Sequence, residues 1–458
     1  QSFPALAEEV FSSPVFSSAT IAVLFVSLPD GATFYSRGPD LPMIPASTAK
    51  LAVSAAALEQ LKPDFRFRTP FLIKKTDAGK RKLSVLVWRG SGDPSISGRG
   101  RSSPYEVFEI WGASLAALGV AKVKKLVLDN RYFDEPATAP GWPEGELSYW
   151  YQAETSAISY NDNCVELSFV PGQRPGRRAK IVLAPDFGYV KVRNRSVTGA
   201  PESLFTLDYS RWGLNNTVTF FGSIAADGPS SHDFVSVHRP ELYAAHTLRR
   251  VWRGKGIKVS GVKTWEQSRL REEELAPLFT WESEPLSSLV RIVNKNSQNL
   301  YAEQLLKTLG KEVEGRGSFT AGLAVVARFL KKAGLTDSDC HLVDGSGLAE
   351  ENRLTAAGEV RLLRHMHSSP LFPVYYESMS IPGVDRSVRK RMKGEPLAAF
   401  MRIKQGTVAR ARNLAGYLQS RSGRLYAFSV LVNGAGLDRP AVDEAVDRLC
   451  VAAARTFP

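Results

Sequence analysis

The stretch that decides the fold is Pro45-Ala46-Ser47-Thr48-Ala49-Lys50, which leads into a run of small and apolar residues ending near Leu61. Ser47 favours the start of a helix and Pro63 ends the run, so we predict one helix here. Residues three apart share a helical face, which brings the Ser47 hydroxyl to the Lys50 amine. A serine becomes nucleophilic when a neighbouring base takes its proton, and a lysine is such a base once burial or nearby cations lower its pKa. The spacing therefore indicates an activated serine, although Ser-x-x-Lys alone is a weak signal.

A second candidate is Ser297-Gln298-Asn299, which opens another helical pattern. Ser297 could pass a proton to a leaving group, while the Asn299 amide could hold both a substrate carbonyl and the lysine. The pattern is nearly uninformative alone, because Ser159-Tyr160-Asn161 has the same spacing and a helix cap explains either occurrence.

The third candidate is Lys404-Gln405-Gly406-Thr407, just before a predicted strand. Lys404 would supply positive charge for a substrate carboxylate. Gly406 has no side chain, so a substrate backbone could approach the strand edge as an added strand. The alternative is that these four residues are simply the exposed start of an ordinary strand.

Both chain ends predict strands followed by a helix. Strands at 21–28 and 33–35 flank a Pro-Asp-Gly turn, and strands at 414–418 and 425–432 flank a second turn. A last helix is predicted from about Pro440. The two ends therefore fit one shared sheet. Between them, roughly residues 65–280 carry short β-like runs broken by Gly and Pro, which predicts one or two inserted β-rich modules.

Composition excludes several classes of function. The formal net charge is +13, which suits an anionic surface, but the basic patches lack the interleaved aromatic residues of a nucleic-acid binder. Three cysteines without Cys-x-x-Cys spacing make a redox or zinc role improbable. His365 and His367 would lie on different faces of a helix, so we expect no metal there. No run reaches membrane-span length, and a start at Gln1 suggests that a signal peptide was removed.

The three motifs are jointly specific in their order, spacing and context. Ser-x-x-Lys opens a helix after a hairpin, Ser-x-Asn follows a long insertion, and Lys-x-Gly-Thr precedes a hairpin, as in penicillin-binding proteins and serine β-lactamases. The surrounding residues resemble the D-alanyl-D-alanine carboxypeptidase/endopeptidase family, the low-molecular-mass class C penicillin-binding proteins of the penicillin-binding protein 4 type. The segments that carry the resemblance include Gly92-Asp93-Pro94, Ala139-Pro140-Gly141-Trp142-Pro143, Asn161-Asp162-Asn163-Cys164, Asn299-Leu300-Tyr301-Ala302-Glu303, Val343-Asp344-Gly345-Ser346-Gly347-Leu348 and Asn413-Leu414-Ala415-Gly416-Tyr417.

The resemblance implies an α+β multidomain fold. A β-lactamase/transpeptidase-like catalytic domain, with helices around an antiparallel sheet, would comprise residues 1–64 and 281–458. An inserted β-rich domain would comprise residues 65–92 and 160–280, with a smaller domain, residues 93–159, nested in it.

The resemblance also implies a serine DD-peptidase that forms an acyl-enzyme on Ser47 and needs no cofactor or metal. Lys50, Ser297, Asn299 and Lys404 match the family's functional positions. Gly406 and Thr407 match substrate-binding positions, and the backbone amides of Ser47 and Thr407 are the implied oxyanion donors.

Three departures from the family pattern affect the site. Gln405 stands where threonine is usual, and we expect its side chain to point away from the pocket. The run Ala349-Glu350-Glu351 replaces a frequent arginine. Glu146 and Tyr151 fall near the positions that contact diaminopimelate in some members, and a carboxylate there could bind a free amine. The alternative is that Glu146 and Tyr151 are ordinary surface residues of a Trp-rich loop.

The implied substrates are peptidoglycan stem peptides, with cleavage of D-Ala-D-Ala termini and D-Ala-diaminopimelate crosslinks. β-Lactams would act as covalent inhibitors. We expect no nucleic-acid partner, at most peripheral membrane contact, and a periplasmic or secreted location. A serine β-lactamase-like hydrolase and a non-catalytic cell-wall-binding protein are the alternatives; the long insertion argues against the first, and the intact Ser47, Lys50 and Lys404 against the second.

Overall fold

The computed structural model describes residues 2–458, which divide into two compact units. One unit joins the two chain ends: it runs to Phe65, includes Ala139–Gly141, and resumes at Pro285–Pro458. The other unit comprises Arg66–Thr138 and Trp142–Glu284. We call them the terminal unit and the central unit. The finer three-part division expected from the sequence stays a prediction.

The α-helices of the described chain are α1 (Phe3–Phe11), α2 (Lys50–Leu61), α3 (Glu106–Ala117), α4 (Pro240–Gly254), α5 (Trp265–Ser268), α6 (Leu286–Lys295), α7 (Asn299–Glu314), α8 (Phe319–Lys332), α9 (Ala356–His367), α10 (Phe372–Ser378) and α11 (Arg439–Thr456).

The strands of the described chain are β1 (Thr20–Ser27), β2 (Thr33–Arg37), β3 (Arg68–Lys74), β4 (Lys82–Arg89), β5 (Lys122–Asp129), β6 (Cys164–Val170), β7 (Lys180–Ala184), β8 (Lys191–Asn194), β9 (Val197–Gly199), β10 (Asp208–Arg211), β11 (Thr217–Phe221), β12 (Ser223–Ala225), β13 (Ser231–Ser236), β14 (Lys258–Thr264), β15 (Leu275–Glu282), β16 (Cys340–His341), β17 (Arg353–Leu354), β18 (Arg402–Val408), β19 (Ala411–Gln419) and β20 (Leu425–Asn433).

The terminal unit is built on one antiparallel sheet that both chain ends share, as predicted. Its strand order is β18-β19-β20-β1-β2, and the two ends meet where Val23 pairs with Val430. α1 and α11 share a buried apolar core with one face of the sheet, and α9 packs against β1 and β20. β18 is an edge strand, so part of its backbone remains available for pairing.

Helix α2 lies at the centre of the helical layer. Lys50 to Leu58 are all buried, because α6, α7, α8 and α10 surround the helix. A helix that is apolar all round is typical of such a buried position. The preceding 3₁₀ turn, Ala46–Ala49, packs against β18 and β19. This turn carries Ser47, so the fold places Ser47 between helix α2 and strand β18 at the edge of the sheet.

The central unit contains short strands, as predicted for the middle of the chain. Its main sheet has the order β14-β5-β4-β3-β15, and β4, β5 and β14 are parallel neighbours. Parallel neighbours need a crossover connection, which is why α3 lies between β4 and β5. The predicted β-like runs did not include α3 or α4. Among residues 2–458, no helix combines the length and apolarity needed to cross a bilayer.

The contact between α7 and α8 gives a direct test of the packing around α2. A methyl group at Gly322 would lie 2.0 Å from the Leu306 carbonyl oxygen. Gly322→Ala should therefore lower the free energy of unfolding by about 1–3 kcal/mol. Gly254→Ala is the matched helical control, because nothing lies within 4 Å of its added methyl. The control should be neutral or stabilising by up to about 1 kcal/mol. Calorimetry that shows equal effects for the two variants would contradict this packing.

Candidate active site

The structure brings Ser47 and Lys50 together as the spacing predicts. The Lys50 Nζ lies 2.8 Å from the Ser47 Oγ and donates a second hydrogen bond, 2.6 Å long, to the Ser346 carbonyl oxygen. Ser47 is half-buried and Lys50 is fully buried. The serine hydroxyl is therefore reachable while its neighbouring amine is shielded from water.

Burial sets the protonation of Lys50. Loss of hydration lowers the pKa of Lys50 to about 7, although the Asp344 and Glu303 carboxyl groups oppose the shift. An amine with this pKa is substantially neutral near pH 7. It then has a lone pair for the serine proton, and the Ser346 carbonyl holds one of its remaining hydrogens.

The loop that supplies this carbonyl is held by buried carboxyl groups. Glu303 on α7 accepts hydrogen bonds from the Gly345 and Ser346 amides at 2.9 and 2.7 Å. Asp344 accepts from the Gly347 and Ala349 amides. Burial and the neighbouring Asp344 raise the pKa of Glu303 above its usual range. The backbone acceptor for Lys50 is therefore fixed before any substrate arrives.

Gly347 is required by a very close approach of two backbones. Its φ is +77°, and a Cβ there would lie 1.8 Å from the Ala46 carbonyl oxygen. Ala46 itself has φ +49°, an unusual value for a residue with a side chain. The turn in front of Ser47 is thus a strained segment clamped by the loop at 344–347.

The same turn is held from the sheet side by two asparagine side chains. Asn413 on β19 donates to the Ile44 and Pro45 carbonyl oxygens at 2.9 and 2.8 Å. Asn433 on β20 accepts from the Ile44 amide at 2.6 Å. These bonds tie the position of Ser47 to the sheet.

Ser297 and Lys404 form a second serine–lysine pair. The Lys404 Nζ donates to the Ser297 Oγ at 2.8 Å and to the Gln405 carbonyl oxygen at 2.9 Å. Burial and the charge of Lys50 hold the pKa of Lys404 well below its usual range, while the Glu359 carboxylate opposes the shift. Ser297 has φ +55°, a second strained residue in the site. Asn299 lies two residues further on, buried at the first position of α7.

Strand β18 lies directly against the turn that carries Ser47. A Cβ at Gly406 would lie 2.6 Å from the Pro45 carbonyl oxygen, so only glycine fits without a shift. The Ile403 amide and carbonyl bond Ser380 at the outer edge of the sheet. By strand alternation, the Gln405 and Thr407 backbone groups face the same edge. A peptide could therefore pair with this edge beside Ser47, with the Thr407 amide as an oxyanion donor.

Our expectation that the Gln405 side chain points away from the pocket stays a prediction. That side chain lies on the same side of β18 as that of Thr407, because residues two apart in a strand share a face. The Gln405 Nε2 is 3.5 Å from the Thr407 Oγ1, and its Oε1 accepts a 2.8 Å bond from Arg391. Gln405 therefore faces the same surroundings as the residue expected beside a substrate carboxylate.

Glu146 and Tyr151 lie in the central unit and contact each other. The Tyr151 hydroxyl donates to a Glu146 carboxylate oxygen at 3.2 Å, and the Tyr151 ring stacks on Tyr149. Burial and the Glu146 charge raise the pKa of Tyr151. A role for this pair in binding a diamino acid stays a prediction. In the terminal unit, Ala349 of the Ala-Glu-Glu run is buried and its amide bonds Asp344.

The sequence did not predict the roles of several groups in this site. The Ser346 acceptor is a backbone atom, which no side-chain pattern reveals. Glu303, Asp344 and Asn413 lie inside segments that resemble the family, but their spacing did not show that they brace the lysine or the nucleophile turn. Arg391, in a basic run of the sequence, gave no sign of its contact with Gln405.

The chemistry available here is that of serine enzymes that pass an acyl group through a covalent ester, with a lysine rather than a histidine as base. Residues 5–456 match the D-Ala-D-Ala carboxypeptidase 3 (S13) family, and the chain belongs to that family. It is therefore a serine hydrolase of the D-alanyl-D-alanine carboxypeptidase class.

Relatives and solved structures agree with this family. The chain is 30% identical over 453 residues to a D-alanyl-D-alanine carboxypeptidase from Actinomadura sp., covering 96% of this chain and 82% of that protein. Its fold matches penicillin binding protein 4 from Haemophilus influenzae, with a TM-score of 0.84 at 22% identity over 98% of this chain and 99% of that one. A predatory endopeptidase from Bdellovibrio bacteriovorus matches with a TM-score of 0.54 at 16% identity, covering 94% and 93%.

Proposed function

We propose that the chain cleaves the D-Ala-D-Ala type bond of peptidoglycan stem peptides, with Ser47 as nucleophile and Lys50 as general base. The observation that carries this proposal is the Lys50 amine. It is fully buried, 2.8 Å from the Ser47 hydroxyl, and held by the Ser346 carbonyl. The family membership supplies the class of bond.

Acylation begins as Lys50 takes the Ser47 proton while the Ser47 Oγ attacks the carbonyl carbon of the penultimate D-alanine. The carbonyl oxygen becomes negative and accepts from the Ser47 and Thr407 backbone amides. The first amides of a helical turn have no internal partner, which leaves the Ser47 N–H available. The substrate backbone pairs with the edge of β18, and Asn299 holds its amide on the other side.

Collapse of this intermediate breaks the C–N bond. The leaving amine takes a proton that passes through Ser297, whose hydroxyl contacts Lys404. Lys404 also supplies positive charge near the substrate carboxylate, because an anion beside the amine raises the pKa that burial lowers. Water then attacks the Ser47 ester, giving the shortened peptide and the free serine.

Carboxypeptidase and endopeptidase reactions share the same acyl donor and differ only in the leaving amine. We therefore propose that the chain trims D-Ala-D-Ala termini and also cuts D-Ala-diaminopimelate crosslinks. One solved structural neighbour is an endopeptidase, which is consistent with a second activity. Glu146 and Tyr151 would bind the free amine of diaminopimelate.

β-Lactams should act as covalent inhibitors, because their strained amide lies next to a carboxylate in the manner of the scissile bond. Penicillin binding protein 4 from H. influenzae is known in complex with a β-lactam. A peptidoglycan substrate implies an extracytoplasmic location. We propose the periplasm or the exterior, where a net charge of +13 favours residence on an anionic wall.

The lysine base predicts a specific pH dependence of acylation by benzylpenicillin. Lys50 gains its lone pair as it loses a proton, so the acylation rate should rise from about pH 6 to about pH 8 with a midpoint near 7. Intact-mass analysis at timed intervals measures the rate, and Ser47→Ala should form no adduct.

Glu359 has a pKa near 7 as well and is the control for this profile. Glu359→Gln keeps an acceptor for the Ser429 hydroxyl, its 2.7 Å partner, and should keep the midpoint. A flat profile, or a midpoint near that of a free lysine, would rule out Lys50 as the base. An adduct on Ser47→Ala would rule out the nucleophile.

The two proposed reactions can be compared on purified muropeptides. A pentapeptide monomer and a crosslinked dimer, each at matched enzyme concentration, should both be consumed, giving tetrapeptide and monomers by mass. Ser47→Ala should leave both substrates intact. If the pentapeptide is trimmed and the dimer persists at low and at high salt, the endopeptidase half of the proposal fails.

A further inference from the structure

The tip of the β10–β11 hairpin, residues 212–216, exposes two large apolar side chains. Trp212 is 79% exposed and Leu214 is 76% exposed, with Gly213 between them. Gly213 has φ +63°, and nothing lies within 4 Å of a Cβ added there, so it serves the turn of the chain rather than a close approach. The tip therefore presents to water an apolar surface that would be more stable in a partner.

The tip is fixed by its own polar side chains. The Asn215 Nδ2 donates to the Trp212 carbonyl oxygen at 2.6 Å, and the Asn215 Oδ1 accepts from the Thr217 amide at 2.8 Å. The Asn216 side chain bonds the carbonyl oxygen and the amide of His238 at 3.0 and 2.8 Å. The tip is thus an ordered projection of the central unit.

Arg211, the last residue of β10, anchors the hairpin from inside. It is buried, and its guanidinium donates to the Leu147 carbonyl oxygen at 2.7 Å and to the Ser236 hydroxyl at 3.2 Å. Its amide donates to the Ser148 hydroxyl at 2.6 Å. Because these contacts set the position of the tip, little conformational freedom would be lost when the tip enters a partner.

The hydrogen bonding of the tip decides which kind of partner fits. A sugar site needs polar side chains that converge on the ligand, but both asparagines bond backbone groups of the central unit. A stable protein interface needs about 800 Å² from each partner, which two side chains do not supply. A bilayer accepts an aromatic ring at the headgroup level and favours backbone groups that are already hydrogen-bonded. The tip meets both conditions.

The strand beside the hairpin adds positive charge. β8 runs parallel to β11, and its first residue, Lys191, pairs with Thr217 next to the tip. Lys191 and Arg193 are exposed and share one face of β8, because they lie two apart in a strand. Asp208, the acidic residue of β10, lies at the other end of the hairpin, opposite Phe221. Anionic headgroups would therefore meet positive charge at the end that carries the tip.

We propose that the tip of the β10–β11 hairpin is a membrane-docking surface, with Trp212 and Leu214 in the headgroup region of an anionic bilayer and Lys191 and Arg193 against the lipid phosphates. Two apolar side chains and two charges bind a bilayer reversibly and far more weakly than a spanning helix. The proposal goes beyond the acyl-transfer reaction, because the surface lies wholly in the central unit and uses none of the residues assigned to that reaction.

The test is co-sedimentation of the full chain with vesicles of equal parts phosphatidylcholine and phosphatidylglycerol at low salt. Trp212→Ser combined with Leu214→Ser should lower the partition coefficient about tenfold or more, because the apolar anchors are lost. Lys191→Gln combined with Arg193→Gln should lower it about tenfold on these vesicles and leave binding to pure phosphatidylcholine unchanged.

Leu204→Ser is the matched control. Leu204 is 82% exposed in the same unit, but its carbonyl oxygen faces the Ser223 hydroxyl, beyond the other end of β11. This variant should bind the mixed vesicles within about twofold of the wild-type protein. All variants should keep the wild-type melting temperature, which separates loss of binding from loss of fold.

The fluorescence of Trp212 gives a second readout. The chain has 8 tryptophans, and the difference between the wild-type and Trp212→Phe spectra isolates the emission of Trp212. That emission should shift to shorter wavelength when the mixed vesicles are added, because the indole leaves water for the headgroup region.

A wild-type protein that does not bind the mixed vesicles, or serine variants of the tip that bind as well as wild type, would overturn the proposal. An equal loss for Leu204→Ser would also contradict it, since binding would not be specific to the tip. Binding to purified sacculi that depends on Trp212, without such dependence on vesicles, would assign the tip to a glycan instead. A tip-dependent change in sedimentation mass without lipid, again with vesicle binding unaffected, would assign it to a second copy of the chain.

Discussion

A lysine amine enclosed by protein beside a serine hydroxyl is the constraint on which the terminal unit depends. Burying an amine is unfavourable unless it loses its charge or finds partners. Here the Ser346 carbonyl and the Ser47 hydroxyl are the hydrogen-bond partners of the buried amine, and the lowered pKa of Lys50 makes the amine a base. Helix α2 must therefore be surrounded by other helices, and the loop at 344–347 must carry its own buried carboxyl partners.

Two strained residues of this unit lie where the chemistry is proposed. Ala46 and Ser297 both have left-handed backbone conformations, which typically cost about 1–3 kcal/mol each. The close approach of Gly347 and the asparagine bonds from Asn413 hold the first of these turns in place. Packing elsewhere in the unit offsets the strain. As a result, the position of Ser47 does not depend on the arrival of substrate.

Much of this could be predicted from local sequence. Hairpin turns, the helix after Ser47 and the shared sheet follow from periodicity and turn residues, and the contact of Lys50 with Ser47 follows from the Ser-x-x-Lys spacing. The contact of Lys404 with Ser297 was not predicted, because it joins residues 107 positions apart. The contact of Lys50 with the Ser346 carbonyl and the hydrogen bonds that Glu303 accepts from the loop at 344–347 could not be predicted. They depend on residues some 250 to 300 positions from Ser47 and partly on backbone atoms. Helices α3 and α4 were missed because the short β-like runs around them dominated the pattern.

The charge on Lys50 is the central claim, and it can be measured without any substrate. The protein would be labelled with ¹³C at the lysine ε position and titrated by NMR, with the Lys50 signal identified by its loss in Lys50→Arg. We predict that the Lys50 signal titrates with a pKa near 7 and can be told apart from that of Lys404, whose pKa is also lowered, because only the Lys50 signal is lost in Lys50→Arg. A Lys50 signal that stays protonated until about pH 10, as for a free lysine, would contradict the account.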